Sequence, residues 1–139
     1  MHHTLTVETR GPGLTEITRD VARLLPPEDG LLTLMIRHTS ASLLITENAD
    51  PDVQTDFLAW LDRLVPPGTH PAMAFLTHTL EGPDDMPAHL KAALLPVSLQ
   101  VPVIAGKLQL GTWQGLFVVE HRSRPHSRRV ALHFARDSR

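Results

Sequence analysis

Residues 31–53 read LLTLMIRHTSASLLITENADPDV. Leu32, Leu34, Ile36 and His38 share one face of a period-two alternation, so the spacing predicts a strand from Leu31 that ends with His38 on its apolar side. Ser40 to Glu47 reads as a second strand. Asn48-Ala49-Asp50-Pro51 then opens a helix, with Asp50 as N-cap and Pro51 at the first helical position. Val53, Phe57, Leu61, Leu64 and Val65 carry the apolar stripe of about four helical turns to a stop at Pro66-Pro67.

On the N-terminal side, Leu5 and Val7 alternate with Thr4, Thr6 and Glu8 and predict a strand closed by Gly11-Pro12-Gly13. Thr15 is placed to cap a short helix whose stripe is Ile17, Val21, Leu24 and Leu25 and whose end is Pro26-Pro27. On the C-terminal side, residues 66–77 form a loop. Val97, Leu99, Val101 and Val103 then alternate as a strand, with Pro102 marking an edge position. Ala105-Gly106 makes a tight hairpin, and Lys107 to Leu110 returns. Gly111-Thr112-Trp113-Gln114-Gly115 interrupts the pattern before Leu116 to His121 resumes it, and such a break marks a bulge or a close approach to the backbone. Val130, Leu132 and Phe134 make a last strand. Helices inserted among mostly antiparallel strands predict an α+β domain spanning residues 1–139, two-layered, with helices packed on the sheet.

Chemistry concentrates in residues 78–89, HTLEGPDDMPAH, which hold His78, His89 and the carboxylates Glu81, Asp84 and Asp85. Gly82-Pro83 favours a turn, so a loop carries His78 and Glu81 to a helix starting near Asp85, with Pro87 in its first turn. Met86, Leu90, Ala93 and Leu94 define its apolar face, and His89 lies on or beside that face.

Composition narrows the chemistry. A chain of 139 residues with 42% hydrophobic content is long enough for a core. A formal net charge of -2 gives no general reason for nucleic acid or an anionic membrane as partner. The absence of cysteine excludes disulfides, thiolate metal sites and cysteine nucleophiles. MHHTLTVETR lacks an apolar leader core, and no later run reaches the ~20 apolar residues of a membrane-spanning helix, so a cytoplasmic protein is the expectation.

Three blocks in this order, HTSASLLITENADPDV at 38–53, EGPDDMPAHLKAAL at 81–94 and GTWQGLFVVEHR at 111–122, resemble the signature blocks of the YjbQ family, also called UPF0047 or secondary thiamine-phosphate synthase. The resemblance covers residues 31 to 134, nearly the whole chain. It implies a two-sheet α+β fold assembled as a homotrimer, with a histidine cluster matching His38, His78 and His89 that holds a metal ion. Two positions depart from the family pattern: Thr46 stands where asparagine is common, and Thr79 where an acid is common. The loop 66–77 is also longer and more apolar than usual in the family.

Read as chemistry, three histidines without cysteine suit zinc or a related divalent ion, with a position left for water or substrate. His38, His78 and His89 are separated by 40 and then 11 positions, which match no short zinc motif, so only the fold can assemble them. Glu81, Asp84 and Asp85 are placed to orient the imidazoles or to bind Mg²⁺ with a diphosphate substrate; Asp84 and Asp85 also suit a helix start on dipole grounds alone. Asn48 is the ligand-contacting candidate of its block, and Glu81, Asp85 and Asn48 are the candidate catalytic residues. Trp113 offers a stacking plane and Gln114 an amide; core packing is the plainer reading of Trp113. Arg122, Arg124, Arg128 and Arg129 form a basic run suited to phosphate oxygens, with Ser40, Ser42 and Lys91 as further phosphate contacts, although a solvated hairpin rim explains such arginines equally simply. No glycine-rich phosphate loop is present.

The reaction implied by the resemblance joins an aminopyrimidine diphosphate to a thiazole phosphate and releases diphosphate. It needs cations for the leaving group and a dry pocket for the attacking ring nitrogen. A histidine site is a poor match for a Mg²⁺-diphosphate enzyme, which points to a side activity and keeps two alternatives open: a metal-dependent hydrolase of a small phosphorylated or anionic substrate, and a trimeric metal- or anion-binding protein.

Overall fold

The computed structural model describes residues 1–138. Among these residues, eight strands form two antiparallel sheets. The larger sheet takes β1 (His2–Glu8), β8 (Ser127–Arg136), β3 (Gly30–Ile36), β5 (Ser98–Ile104) and β6 (Lys107–Leu108), in that spatial order. The smaller takes β2 (Gly13–Glu16), β7 (Gln114–Glu120) and β4 (Ala41–Glu47). The helices α1 (Thr18–Ala22), α2 (Pro51–Leu64) and α3 (Asp85–Leu94) contact β7, β2 and β4, all strands of the smaller sheet. No helix of the described residues is long and apolar enough to cross a membrane.

The core lies between the sheets. Leu32, Leu34 and Ile36 of β3, Val101 and Val103 of β5, and Val130, Leu132 and Phe134 of β8 meet Leu43 of β4 and Leu116 and Val118 of β7. At about 1.5–3 kcal/mol for each fully buried aliphatic side chain, this layer is the main source of stability. Strand β7 is buried continuously from Gly115 to Glu120. Leu116 and Val118 belong to the inter-sheet core, whereas Phe117 and Val119, equally buried, fall on the opposite face by alternation. A strand covered on both faces reads as one apolar run, which is how GLFVV reads.

Several expectations meet the structure directly. Asp50 caps α2, its side chain accepting from the Asp52 N–H at 2.9 Å, with Pro51 first in the helix. Ala105 and Gly106, both at positive φ (49° and 75°), make the two-residue hairpin between β5 and β6. Pro102 pairs with Leu31 of β3 and lies just outside the two pairs, Val103–Leu108 and Ile104–Lys107, by which β6 covers β5, so β5 is not itself an edge strand.

Others are corrected. Gly13–Glu16 is a strand rather than the approach to a helix: Thr15 pairs with Val118, and α1 starts at Thr18 with Ile17 as its cap. The loop 66–77 contains a short 3-10 turn at Pro71–Met73. The returning strand stops at Leu108. The buried face of α3 is Asp85, Ala88 and Ala92, not the stripe of Met86, Leu90, Ala93 and Leu94; Leu94 is 58% exposed. Small residues let the helix approach β4 closely, and the carboxylate is buried because it is fully partnered.

Candidate functional site

Two imidazoles and a carboxylate converge at the start of α3. His78 Nε2 lies 2.7 Å and His89 Nε2 3.3 Å from Asp85 Oδ2, and all three donor atoms fall within 4.8 Å of one another. Local geometry explains the gathering. Asp85 and His89 are four residues apart on one helix, so they share a face. Gly82, at φ 99°, turns the preceding loop so that His78 returns over that face. The two rings meet edge-on at 5.6 Å.

Asp85 is 4% exposed and spends its other oxygen on Arg122, whose Nη1 donates to Oδ1 at 2.7 Å. The Arg122 Nε donates to Asp84 Oδ2 at 2.8 Å and Nη2 to the Glu81 carbonyl at 3.2 Å. Burial alone would raise the Asp85 carboxyl, yet the His78 hydrogen bond and the Arg122 charge hold it below the ordinary carboxylate range. Asp84, also opposed by burial, is held down to about 2 by bonds from Ser123 and Arg122. Asp85 is thus an anion aimed at two imidazoles.

A nitrogen-oxygen set of this kind fits a divalent ion. For a tetrahedral ion with ligands at ~2.1 Å, neighbouring donors sit roughly 3.4 Å apart, close to the His89–Asp85 separation of 3.3 Å, whereas the His78–Asp85 hydrogen bond of 2.7 Å would open for both to ligate. Beside the triad opens a cleft of about 250 Å³ whose walls include Leu76, Pro83, Met86 and Pro87, with His78 and Thr79 at its edge. Thr79 makes no hydrogen bond through its hydroxyl among the described residues, and Asp85 meets His78 at Nε2, the nitrogen counted in the triad.

His38 is not in this group. Its Nε2 accepts from the Arg129 N–H at 2.8 Å, and burial, followed by the charges of Arg128 and Arg129, lowers its pKa. That neighbourhood is a second polar network between the sheets. Arg128, 3% exposed, donates to both oxygens of Glu120 and to Ser40 Oγ at 3.0 Å; Thr9 Oγ1 donates to Glu120 at 2.6 Å. Arg128 and Ser40 are therefore engaged inside the protein. Gln114 accepts from the Gly111 N–H at 2.8 Å and so closes its own turn. Asn48 donates to Glu16 at 3.0 Å on another rim, near Arg19 and Arg23. Trp113 is 64% exposed, which excludes core packing within the chain. Lys91 Nζ lies 2.5 Å from Asp62. Of the candidates, the structure joins His78, Asp85 and His89, with Arg122 and the backbone of Glu81 in support.

One pair escaped the reading of the sequence. His121 Nε2 and Ser42 Oγ are hydrogen-bonded at 2.8 Å, both residues buried, on the helix-facing side of the smaller sheet. Burial, reinforced by the charge of Lys91, lowers the imidazole pKa to about 4, so it is neutral at pH 7. Parity was the available signal: His121 alternates in phase with Phe117 and Val119.

Known proteins resemble this chain over most of its length. Residues 3–137 match the family described as UPF0047 protein YjbQ-like. The chain is similar to UPF0047 protein sll1880 of Synechocystis sp., 44% identical over 132 residues and covering 93% of this chain and 87% of that one. It is 45% identical over 129 residues to UPF0047 protein YjbQ of Salmonella typhimurium, covering 91% and 90%. Among solved structures, the conserved hypothetical protein TT1486 from Thermus thermophilus superimposes with a TM-score of 0.85 at 35% identity, covering 96% of this chain and 99% of the other.

Proposed function

The chain belongs to the UPF0047 YjbQ-like family, and from that premise we propose that it is a metal-dependent transferase of the thiamine-phosphate synthase kind, acting on small phosphorylated heterocycles. The observation that supports this reading is the convergence of His78, Asp85 and His89 at the edge of a mainly apolar cleft of about 250 Å³. Leu76, Pro83, Met86 and Pro87 offer an apolar wall for one flat ring, and His78, Asp85 and His89 are the residues that would hold the ion. When bound, a divalent ion there supplies positive charge for phosphate oxygens or acidifies a water. Arg122 holds Asp85 as a carboxylate and fixes its direction; Glu81, whose side chain is free of hydrogen bonds among the described residues, stands nearby to move a proton.

A second reading, a metal-dependent hydrolase, is favoured by a specific observation. Arg122 and Arg128, two of the arginines suited to a departing diphosphate, are already neutralised by Asp84, Asp85 and Glu120. A two-imidazole, one-carboxylate set also suits water activation better than diphosphate binding.

We further propose a homotrimer, the assembly the family resemblance implies; exposed Trp60, Leu64 and Leu94 are apolar surface that such contacts would cover. The deciding experiment measures thiamine phosphate formed from the two precursors with Mg²⁺ or Zn²⁺, for the wild type and for His78→Ala with His89→Ala. Turnover lost in the folded double variant supports the synthase. Turnover retained there removes the triad from the chemistry. No turnover in the wild type moves the reading to hydrolysis, tested on phosphate esters, and stabilisation by metal without any turnover leaves a binding protein.

A further inference from the structure

A second cleft, of about 190 Å³, lies on the other side of the first turn of α3, with Pro87 contributing to both clefts. It is walled by Pro67 and Pro87 and receives Lys91, Asp62, His121 and Ser123. Its volume is below that of sites for drug-sized molecules and suits a single small headgroup.

The protonation pattern inside it can be worked out. Ser42 Oγ is fully buried, and His121 Nε2 is its one hydrogen-bond partner among the described residues. A buried hydroxyl proton needs an acceptor, and an unmet donor is the costlier fault. Ser42 therefore donates to Nε2. Because burial keeps His121 neutral, the ring's single proton sits on Nδ1. Nδ1 has no protein partner among the described residues, yet it is not among the atoms sealed from solvent without one. His121, a residue only 6% exposed, thus has an unpartnered N–H on a ring that lines the cleft.

Lys91 supplies the charge. Its side chain is 12% exposed, and its one salt-bridge partner among the described residues, Asp62, is 68% exposed on α2. A lysine whose stem is largely buried thus meets, at its tip, a carboxylate standing in water, a pairing of low intrinsic strength. The other carboxylate of the cleft, Asp84, is occupied by the Arg122 Nε and by the Ser123 N–H and O–H.

We propose that this cleft is an oxyanion site, in which a small phosphate or carboxylate group sits between Lys91 Nζ and the His121 Nδ1–H, displacing Asp62, which serves as the internal counter-ion in its absence. The assignment of this anion to a substrate of the triad rests on the proposed function; the binding itself does not.

The test uses the full chain with and without Mg²⁺, titrated separately with inorganic phosphate and with acetate. Heat of binding and the ring ¹⁵N signals of His121, His78 and His89 are followed. Saturable movement of the His121 signals with either anion is expected, and which anion does so identifies the group recognised. Asp62→Asn should tighten binding by roughly two- to fivefold, because a competing exposed ion pair is removed. Lys91→Met, which keeps the aliphatic stem, should weaken it by roughly tenfold or more. Absence of saturable His121 movement with both anions, affinity unchanged in Asp62→Asn, or undiminished binding in Lys91→Met would overturn the proposal. Movement confined to His78 and His89 would also overturn it while leaving the triad reading intact.

Discussion

Arg122 Nη1 donates to Asp85 Oδ1 at 2.7 Å, and the other oxygen of the same carboxylate faces both imidazoles. A guanidinium that never touches an ion would thereby set the direction and charge of one of its ligands. Partners of this kind are worth roughly 10- to 100-fold in metal affinity. Arg122→Met should weaken zinc binding by roughly that factor, measured by competition against a chelator, with the far-ultraviolet dichroism unchanged. Unaltered affinity would show that Asp85 needs no such guide.

The buried imidazole of His121 makes stability depend on pH. Below pH 6.5 the unfolded chain takes up a proton there that the folded chain refuses until the pH nears 4. The unfolded state binds more protons in that window, so the native state weakens as pH falls through it. The loss amounts to roughly 3 kcal/mol. Urea titrations between pH 7 and 4.5 should show this slope for the wild type and a flatter one for His121→Gln, whose side chain cannot titrate.

Arg128 is a phosphate-contact candidate in the sequence, but it is held inside the protein by Glu120 and Ser40, against the cost of removing both charges from water. Burial would raise the Glu120 carboxyl; hydrogen bonds from Arg128 and Thr9 hold it below its usual range instead. Arg128→Met should strand that charge and cost about 3–5 kcal/mol of unfolding free energy. Glu120→Gln combined with Arg128→Met should recover a substantial part, as a denaturant double-variant cycle would reveal. A stable, fully folded Arg128→Met would return the residue to the list of ligand contacts.

Much of this arrangement was legible locally. The alternation of Leu32, Leu34 and Ile36, the Asp50-Pro51 helix opening and the Ala105-Gly106 hairpin are short-range instructions, and the chain obeys them. The proximity of His78 to His89 was legible for the same reason, since one glycine turn and one helical turn separate them. Strand β2 was not legible, because Gly13–Glu16 holds one large apolar residue and owes its conformation to pairing with β7. The α3 face was misread because hydrophobicity was counted where fit decided: Ala88 and Ala92 bring the helix close, and Asp85 is buried by its partners. The Ser42–His121 bond joins residues 79 positions apart, beyond any local pattern.

Glu120 and His121 are consecutive, yet they serve opposite sides of the smaller sheet, the acid toward Arg128 between the sheets and the imidazole toward Ser42 beneath the helices. A slip of β7 by one position would exchange them. Arg128 would face a histidine without counter-charge, and a carboxylate would be pressed against a serine hydroxyl on the helix side. Apolar side chains such as Leu116, Phe117, Val118 and Val119 tolerate such an exchange with less penalty, because either face of the strand is dry. The last side chain of the strand and the one that follows it therefore act as an alignment key: they leave the apolar run free to be uniformly greasy while admitting only one lateral setting of the three-stranded sheet.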